Sequence, residues 1–187
     1  MGSSSLDLPS GCALRLHVLP LKVGVSDASL FITSALLVSH GVRECVAAVV
    51  NVGGTYVVAP SWRVRQLRPD ADSREGWLRA VLRGKHRGLG AIIARASSYE
   101  EVMEIVGLRG IKTIETPCGK PSPTCNPLDL LSSIAREARL AGVAALIYTE
   151  GSGLGAPLPL CPALVEIGID RATAGLPTVP QVFKAPR

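Results

Sequence analysis

The chain has 187 residues, of which 47% are hydrophobic and 19% are charged, and its formal net charge at pH 7 is +5. This composition excludes intrinsic disorder and predicts one globular domain, residues 1–187, with an aliphatic core. The sequence has no apolar run of the roughly 18 residues that a bilayer requires, and Met1 does not open a basic and then apolar leader. We therefore expect a soluble, cytoplasmic protein without membrane partners.

Segments typical of strands and of helices alternate along the chain. The segments that predict strands are, in chain order, ALRLHVLPL, ECVAAVVNVGG, the hairpin-like pair TYVVAP and RVRQL, LGAIIARA, IKTIET, VAALIYT and ALVEIGI. The segments with helical spacing are DASLFITSALLVSHG, DSREGWLRAVLRGKH, SYEEVMEIVGL and NPLDLLSSIAREARLAG. Their expected N-caps are Asp27, Asp72 or Ser73, Ser97 or Ser98, and Asn126. The alternation predicts an α/β fold, with a mostly parallel sheet and helices on both faces.

A glycine-rich loop, TEGSGLGAPLPL, follows the strand-like run VAALIYT. Its glycines, Gly151, Gly153 and Gly155, permit positive φ and close approach of another backbone. Open α/β sheets bind ligands at the carboxyl ends of their strands, so the loop is either a ligand cradle or a plain tight turn. It lacks the Gly-Lys-Ser/Thr of a P-loop, and its prolines argue against the helix that a dinucleotide fingerprint requires. A second candidate loop, GIDRATAGLPTVP, follows ALVEIGI.

Positive charge is concentrated between Ser61 and Arg95. This stretch has three acidic and nine basic residues, the latter being Arg63, Arg65, Arg68, Arg74, Arg79, Arg83, Lys85, Arg87 and Arg95. Guanidinium groups bind phosphates bidentately, so the segment predicts contacts to nucleic acid. The alternative is a solvated surface on which some arginines pair with Asp70, Asp72 or Glu75.

Cysteines and histidines give little support to a metal site. The cysteines, Cys12, Cys45, Cys118, Cys125 and Cys161, form no C-x-x-C pair, and the chain has only three histidines. Cys118 and Cys125 either close a small disulfide loop or, as we expect in a reducing cytosol, remain free thiols. A G-x-S-x-G elbow is also missing, which argues against a hydrolase.

Four segments resemble the archaeal tRNA pseudouridine N1-methyltransferases of the SPOUT superfamily. ALLVSHGVRECVAAVVNVGG carries Ser39, His40, Val42 and Arg43 of that family's Ser-His-x-[Ile/Val]-Arg signature. WRVRQLRPDADSREGWLRAVLRG is similar to its Leu-x-Pro-Asp stretch and the helix that follows. ALIYTEGSGLG and ALVEIGIDRATAGL are similar to two strands and the cofactor loops after them. The chain departs from the family in VGVSDAS, which keeps Asp27 without the family's arginine, and in a short, proline-rich tail.

The resemblance implies a C-terminal trefoil knot, a homodimer, and methylation of tRNA or another structured RNA with S-adenosyl-L-methionine, at N1 of pseudouridine. It implies Asp27 as the catalytic base and no metal. The implied cofactor-binding residues are Thr149, Glu150, Gly151, Gly153, Leu154, Gly168, Ile169, Asp170, Ala172 and Leu176. The implied RNA-binding residues are Arg43, Arg63, Arg65 and Arg68. The alternatives are a non-catalytic RNA-binding or dimerisation protein on this scaffold, and a small-molecule α/β enzyme.

Overall fold

The computed structural model describes residues 5–176. Its strands are β1 (Arg15–Val23), β2 (Leu37–Val38), β3 (Gly41–Val42), β4 (Val46–Val52), β5 (Thr55–Pro60), β6 (Ile92–Ala94), β7 (Lys112–Cys118) and β8 (Ala144–Glu150). Its helices are α1 (Val25–Leu36), α2 (Ala71–Ala80), α3 (His86–Leu89), α4 (Tyr99–Ile105), α5 (Pro127–Ala141) and α6 (Cys161–Thr173). A π-helical turn, Val81–Lys85, joins α2 to α3, and a 3-10 turn, Leu158–Leu160, precedes α6.

The main sheet has the order β6-β5-β4-β1-β8-β7. The strands β4, β1, β8 and β7 are parallel, whereas β5 runs antiparallel to both of its neighbours. A separate antiparallel hairpin is formed by β2 and β3. We call the edge at which the parallel strands end the carboxyl edge, and the opposite edge the amino edge. The predicted α/β fold with a mostly parallel sheet is confirmed.

Two hydrophobic clusters cover the two faces of the sheet. Alternate residues of β4 belong to different clusters, Ala48 and Val50 to one and Ala47 and Val49 to the other, as the period of two in a strand requires. The helices α1, α2, α5 and α6 pack on the first face and α4 packs on the second. Both faces of β4 are therefore buried, which explains its continuous apolar run. Within the described residues, no helix combines the length and apolar character needed to cross a membrane.

The helix starts confirm two of the predicted N-caps and correct two. The Ser98 hydroxyl accepts a hydrogen bond from Glu101 N at 3.3 Å, and the Asn126 side chain accepts one from Leu128 N at 3.0 Å. Asp70, rather than Asp72 or Ser73, caps α2 by accepting from Ser73 N. Asp27 lies inside the first turn of α1, which begins after Gly24 without a side-chain cap.

The largest error of the sequence-based prediction concerns ALVEIGI, which is not a strand but part of α6. Cys161, Val165 and Ile169 are buried at a spacing of four residues, as one face of a helix requires. Pro162 lies in the first turn of α6, where proline is favoured because the turn needs no backbone donor. RVRQL also forms no strand, and the predicted core strand LGAIIARA contributes only the short edge strand β6.

Candidate functional site

A cavity of 450 Å³ opens at the carboxyl edge, between the loops that follow the adjacent strands β7 and β8. Its walls come from residues 118–121 of the first loop and from residues 150–151 and 155–158 of the second. The cavity lies outside the carboxyl ends of two neighbouring parallel strands, and open α/β sheets bind their ligands at the carboxyl ends of the strands. Its size suits a small organic molecule.

Two glycines let the loops pass each other in direct backbone contact. A Cβ atom at Gly153 would lie 1.9 Å from the Pro117 carbonyl oxygen, and one at Gly119 would lie 1.9 Å from the Gly151 carbonyl oxygen. Hydrogen bonds join the same segments, because Leu154 N donates to Pro117 O at 3.1 Å and Gly155 N donates to Gly119 O at 2.8 Å. The expected close approach of backbone is therefore present, although at Gly153 the reason is space and not a positive φ.

A disulfide bond between Cys118 and Cys161 joins the end of β7 to the start of α6, next to this cavity. The expected alternatives for Cys118, a bond to Cys125 or a free thiol, are therefore wrong, and Cys125 is the free cysteine. The expectation failed because the helical path of 161–173 was not foreseen, and the two cysteines are 43 residues apart. A second disulfide joins Cys12 to Cys45 at the amino edge.

The predicted cofactor-binding residues divide into two groups. Glu150, the last residue of β8, and Gly151 line the cavity, Thr149 precedes them, and Gly153 and Leu154 are buried against the β7 loop. Contrary to the prediction, residues 168–173 are helical, and residues 177–180 of the predicted second loop lie outside the described residues. The members of the second group lie on α6 or directly after it and are not among the described residues that line this cavity: Gly168, Ile169, Asp170, Ala172 and Leu176.

The predicted base, Asp27, is exposed on the first turn of α1. Because α1 starts where β1 ends, Asp27 lies at the carboxyl edge, as the cavity does. The 3-10 turn that continues the cavity wall also contacts α1. Among residues 5–176, the Asp27 carboxylate has no hydrogen-bond or ion-pair partner.

The amino edge holds a buried network of charged and polar groups that the sequence analysis did not identify. Arg15 of β1 donates from Nε and Nη2 to the Glu166 carboxylate, over 2.6–3.0 Å. His17 lies between two partners, with Nε2 3.1 Å from Glu166 Oε2 and Nδ1 2.6 Å from the Tyr148 hydroxyl. A carboxylate only accepts, so Nε2 carries the hydrogen and, in the neutral ring, Nδ1 accepts from Tyr148. A glutamate within an apolar helix is the one local sign of such a network.

The network shifts the ionisation of its members. Burial opposes the charge of Glu166, but hydrogen bonds and charge from His17 and Arg15 outweigh burial and lower its pKa from 4.5 to about 2. Burial, reinforced by the charge of Glu166, raises the pKa of Tyr148 well above its usual value. Burial also opposes the charge of Arg15, yet Glu166 raises the Arg15 pKa. Glu166 is thus a carboxylate, and Tyr148 a neutral phenol, at neutral pH.

The predicted RNA-binding residues lie at or near the amino edge. Arg43 follows the β2–β3 hairpin, whose turn contains the exposed Ser39 and His40, and its Nη1 is 3.6 Å from Asp170 Oδ2. The basic segment leaves β5 at this edge, since Ser61 N donates to Val46 O, and it returns where Arg65 N donates to Leu89 O. Of its predicted contact residues, Arg65 and Arg68 are exposed and Arg63 is half-buried.

Ion pairing within the basic segment is sparse. Arg79 pairs with Glu75 at 3.1 Å, and this is the one ion pair that the described residues show inside the segment. Arg74 donates instead to the carbonyl oxygen of Pro69. Most of the positive charge between Ser61 and Arg95 is therefore left to solvent or to an anionic partner. The Arg79–Glu75 pair agrees with the alternative of a solvated surface on which some arginines pair with acidic residues, so both interpretations of the segment remain open.

The groups that the cavity offers are mostly backbone and apolar, with Lys120 and Glu150 as the charged side chains of its lining. His, Cys, Asp and Glu side chains form no metal-binding cluster anywhere in the part of the chain that is described. Comparison with models of known protein families and with curated protein sequences finds no match for the chain. We therefore infer its function from the geometry of the two edges.

Proposed function

We propose that the protein is an S-adenosyl-L-methionine-dependent RNA methyltransferase that acts on N1 of pseudouridine in tRNA. The observation that carries the proposal is the cavity at the carboxyl edge, formed by two loops whose backbones are in direct contact at Gly119 and Gly153. The proposal includes the C-terminal trefoil knot and the homodimer that the SPOUT resemblance implies.

The lining of the cavity suits this cofactor in its chemistry. S-adenosyl-L-methionine supplies an activated methyl group on a sulfonium and carries no phosphate, which agrees with a glycine-rich loop that lacks a lysine and a helix start of the P-loop kind. Backbone groups of residues 150–156 would bind the adenine. Lys120 offers a cation for the carboxylate of the methionine part, and Glu150 offers an acceptor for the ribose hydroxyls.

The two edges of the sheet would share the work on RNA. Asp27 at the carboxyl edge is the candidate base for the target nucleotide, and the arginines at the amino edge would bind phosphates. A seven-residue strand such as β8 separates the edges by about 20 Å. A structured RNA can contact both edges of one subunit at once, whereas a small molecule cannot, so this separation favours RNA over a small-molecule substrate.

The first test is calorimetric titration with S-adenosylhomocysteine. Ala156 lines the cavity and is only partly buried, so Ala156→Trp should fill the cavity while leaving the fold intact. We expect micromolar affinity in the wild type and an affinity at least roughly tenfold lower in this variant. Ala174→Trp, at an exposed position after α6, is the matched control and should bind as the wild type does. No binding to the wild type at millimolar ligand would refute the proposal.

The second candidate function is RNA binding without methyl transfer. The exposed, unpartnered Asp27 favours it, because a general base is usually oriented by a neighbouring group. Transfer of a tritiated methyl group to unmodified tRNA separates the two functions. Incorporation that disappears in Asp27→Asn supports the enzyme, whereas tRNA binding without cofactor binding or incorporation supports the second function.

A further inference from the structure

A second cavity, of 370 Å³, lies at the amino edge and is separate from the proposed cofactor site. It is lined by Arg15 at the start of β1, by residues 43–45 just before β4, and by Asp170 near the end of α6, together with Ala13 and Val38. The disulfide between Cys12 and Cys45 holds two of these segments together. The cavity therefore has walls fixed by secondary structure and by a covalent bond.

Arg43 is buried in this cavity without the partners that a guanidinium requires. Its side chain is only 10% exposed, and its buried Nε has no hydrogen-bond partner. In residues 5–176, its one charged partner is Asp170 at 3.6 Å, which is too long for a hydrogen bond. Arg74 also has an unpartnered Nε, but it donates from Nη1 to Pro69 O at 2.8 Å. A buried N–H donor without an acceptor is costly, and the unpartnered Nε of Arg43 therefore points to a missing ligand.

Arg15 contributes a second, pre-oriented donor. Its hydrogen bonds to Glu166 use Nε and Nη2 and leave Nη1 without a partner among the described residues. Its side chain is 18% exposed and lines the cavity. Glu166 thus cancels much of the charge of Arg15 but fixes its orientation, so that little entropy is lost when Nη1 binds an acceptor.

The charges around the cavity select the class of anion. Arg15 is balanced by Glu166, Arg43 is paired with Asp170 at 3.6 Å, and Glu44 also lines the cavity. A dianion would be repelled by these carboxylates, whereas a singly charged group with two free oxygens matches a guanidinium pair. Asp170 is 63% exposed, so solvent and salt screen its opposition to such a ligand. A phosphodiester has this charge and geometry.

We propose that Arg43 and Arg15 bind a phosphodiester group of RNA in the amino-edge cavity. The basic segment leaves the sheet at the same edge, so RNA bound to Arg65 and Arg68 would lie at the edge on which this cavity opens. The inference rests on the RNA partner proposed above, but it does not depend on the cofactor. It assigns to Arg43 a defined subsite instead of a general surface charge.

An NMR titration of the wild-type protein tests the proposal directly. The buried Nε–H of Arg43 should be protected from exchange with water and therefore visible in a ¹H–¹⁵N spectrum. We expect its signal to shift in a saturable way with a single-stranded uridine tetranucleotide, and to shift far less with inorganic phosphate at the same concentration. An unmoved Arg43 signal when the tetranucleotide is bound would overturn the proposal, and so would an equal response to inorganic phosphate.

Paired variants give an independent test by fluorescence anisotropy with the same tetranucleotide. Arg43→Gln should weaken binding about tenfold and lower the slope of log affinity against log salt by roughly one unit. Asp170→Asn, which keeps Arg43, should strengthen binding about threefold. The matched controls are Arg109→Gln and Glu104→Gln, which change an exposed ion pair on the opposite face of the sheet and should stay within about twofold of the wild type.

The following results of these binding experiments would overturn the proposal of a phosphodiester subsite. Equal effects of Arg43→Gln and Arg109→Gln, or no gain in Asp170→Asn, would overturn the proposal. If Arg43→Gln does not fold, the wild-type titration and Asp170→Asn decide. Binding of S-adenosylhomocysteine at the carboxyl edge should be the same in all four variants. A wild-type protein that binds the tetranucleotide through Arg43 but not this cofactor analogue would retain the subsite and refute the methyltransferase.

Discussion

The two edges of one sheet are built on opposite plans. At the carboxyl edge, the loops after β7 and β8 meet through backbone atoms, and the residues that matter are glycines. At the amino edge, β1, β8 and α6 bring Arg15, Tyr148 and Glu166 together through side chains. Each edge is closed by one disulfide bond. Backbone contact between two loops depends on glycines that form a local sequence pattern. A side-chain network that joins elements distant in the chain leaves almost no such pattern.

The largest expected effect comes from removing the carboxylate of the amino-edge network. Glu166→Ala leaves Arg15 charged and His17 without its acceptor, both in a buried setting. We expect a loss of about 3–5 kcal/mol in the free energy of unfolding, measured by urea denaturation. Glu150→Ala, which removes an exposed carboxylate at the carboxyl edge, is the control and should cost under about 1 kcal/mol. Equal losses would contradict the distinction between the edges.

The pH dependence of stability should follow the same carboxylate. The pKa of Glu166 falls from its ordinary value of 4.5 to about 2 in the folded protein, so the network stabilises the fold fully above pH 4.5. This stabilisation, on the order of 3 kcal/mol, should be lost as the pH falls through about 2. The difference in unfolding free energy between wild type and Glu166→Gln, measured from pH 6 to pH 2, should shrink towards low pH. A constant difference would show that the charge of Glu166 is not responsible.

The two disulfide bonds, one at each edge, should be reduced at different rates. Cys12 and Cys45 are partly exposed, whereas Cys118 and Cys161 are 3% and 0% exposed, so a mild reductant should open the amino-edge bond first. Loss of either bond should cost about 2–4 kcal/mol. Mass spectrometry of alkylated peptides over time measures the order of reduction. First reduction of the buried pair would mean that the carboxyl edge opens locally more readily than its packing indicates.

The smallest expected effect concerns backbone contact at the carboxyl edge. Gly153→Ala places a Cβ within 1.9 Å of the Pro117 carbonyl oxygen, so the loop must move, at a cost of about 1–3 kcal/mol. A Cβ added at the exposed Gly76 of α2 would meet nothing within 4 Å, and Gly76→Ala should be neutral or stabilising. Thermal denaturation of both variants measures the difference. Equal melting temperatures would show that the loop adapts freely.

The sequence allowed prediction of those elements whose signals are local. The cap at Asn126, the glycine after α5 and the unbroken apolar run of β4 each depend on neighbouring residues, and each was predicted correctly. The helix α6 was missed because the spacing of apolar residues in ALVEIGI also fits a strand. In addition, Glu166 is a charged residue on the buried face of the helix, so that face does not read as apolar in the sequence. With α6 misassigned, neither the Cys118–Cys161 bond nor the contact of Arg15 with Glu166 could be foreseen. The loop after β8 was singled out from the sequence because its three glycines lie within five residues of one another.

The reversal of β5 has a consequence for how this protein can vary. Because β5 runs against its neighbours, the chain leaves the sheet at Ser61 and returns at Ala91 on the same side, and the two ends are in contact. A Cβ at Gly90 would lie 1.8 Å from Arg63 O, so the two ends are in close contact there. Residues 63–90 thus form a segment whose two ends lie next to each other, so its replacement by another sequence would leave the order of the strands unchanged. Provided that Trp77, Leu78 and Val81 are retained to fill the core, the proposed RNA contacts can diversify here without refolding the rest of the sheet.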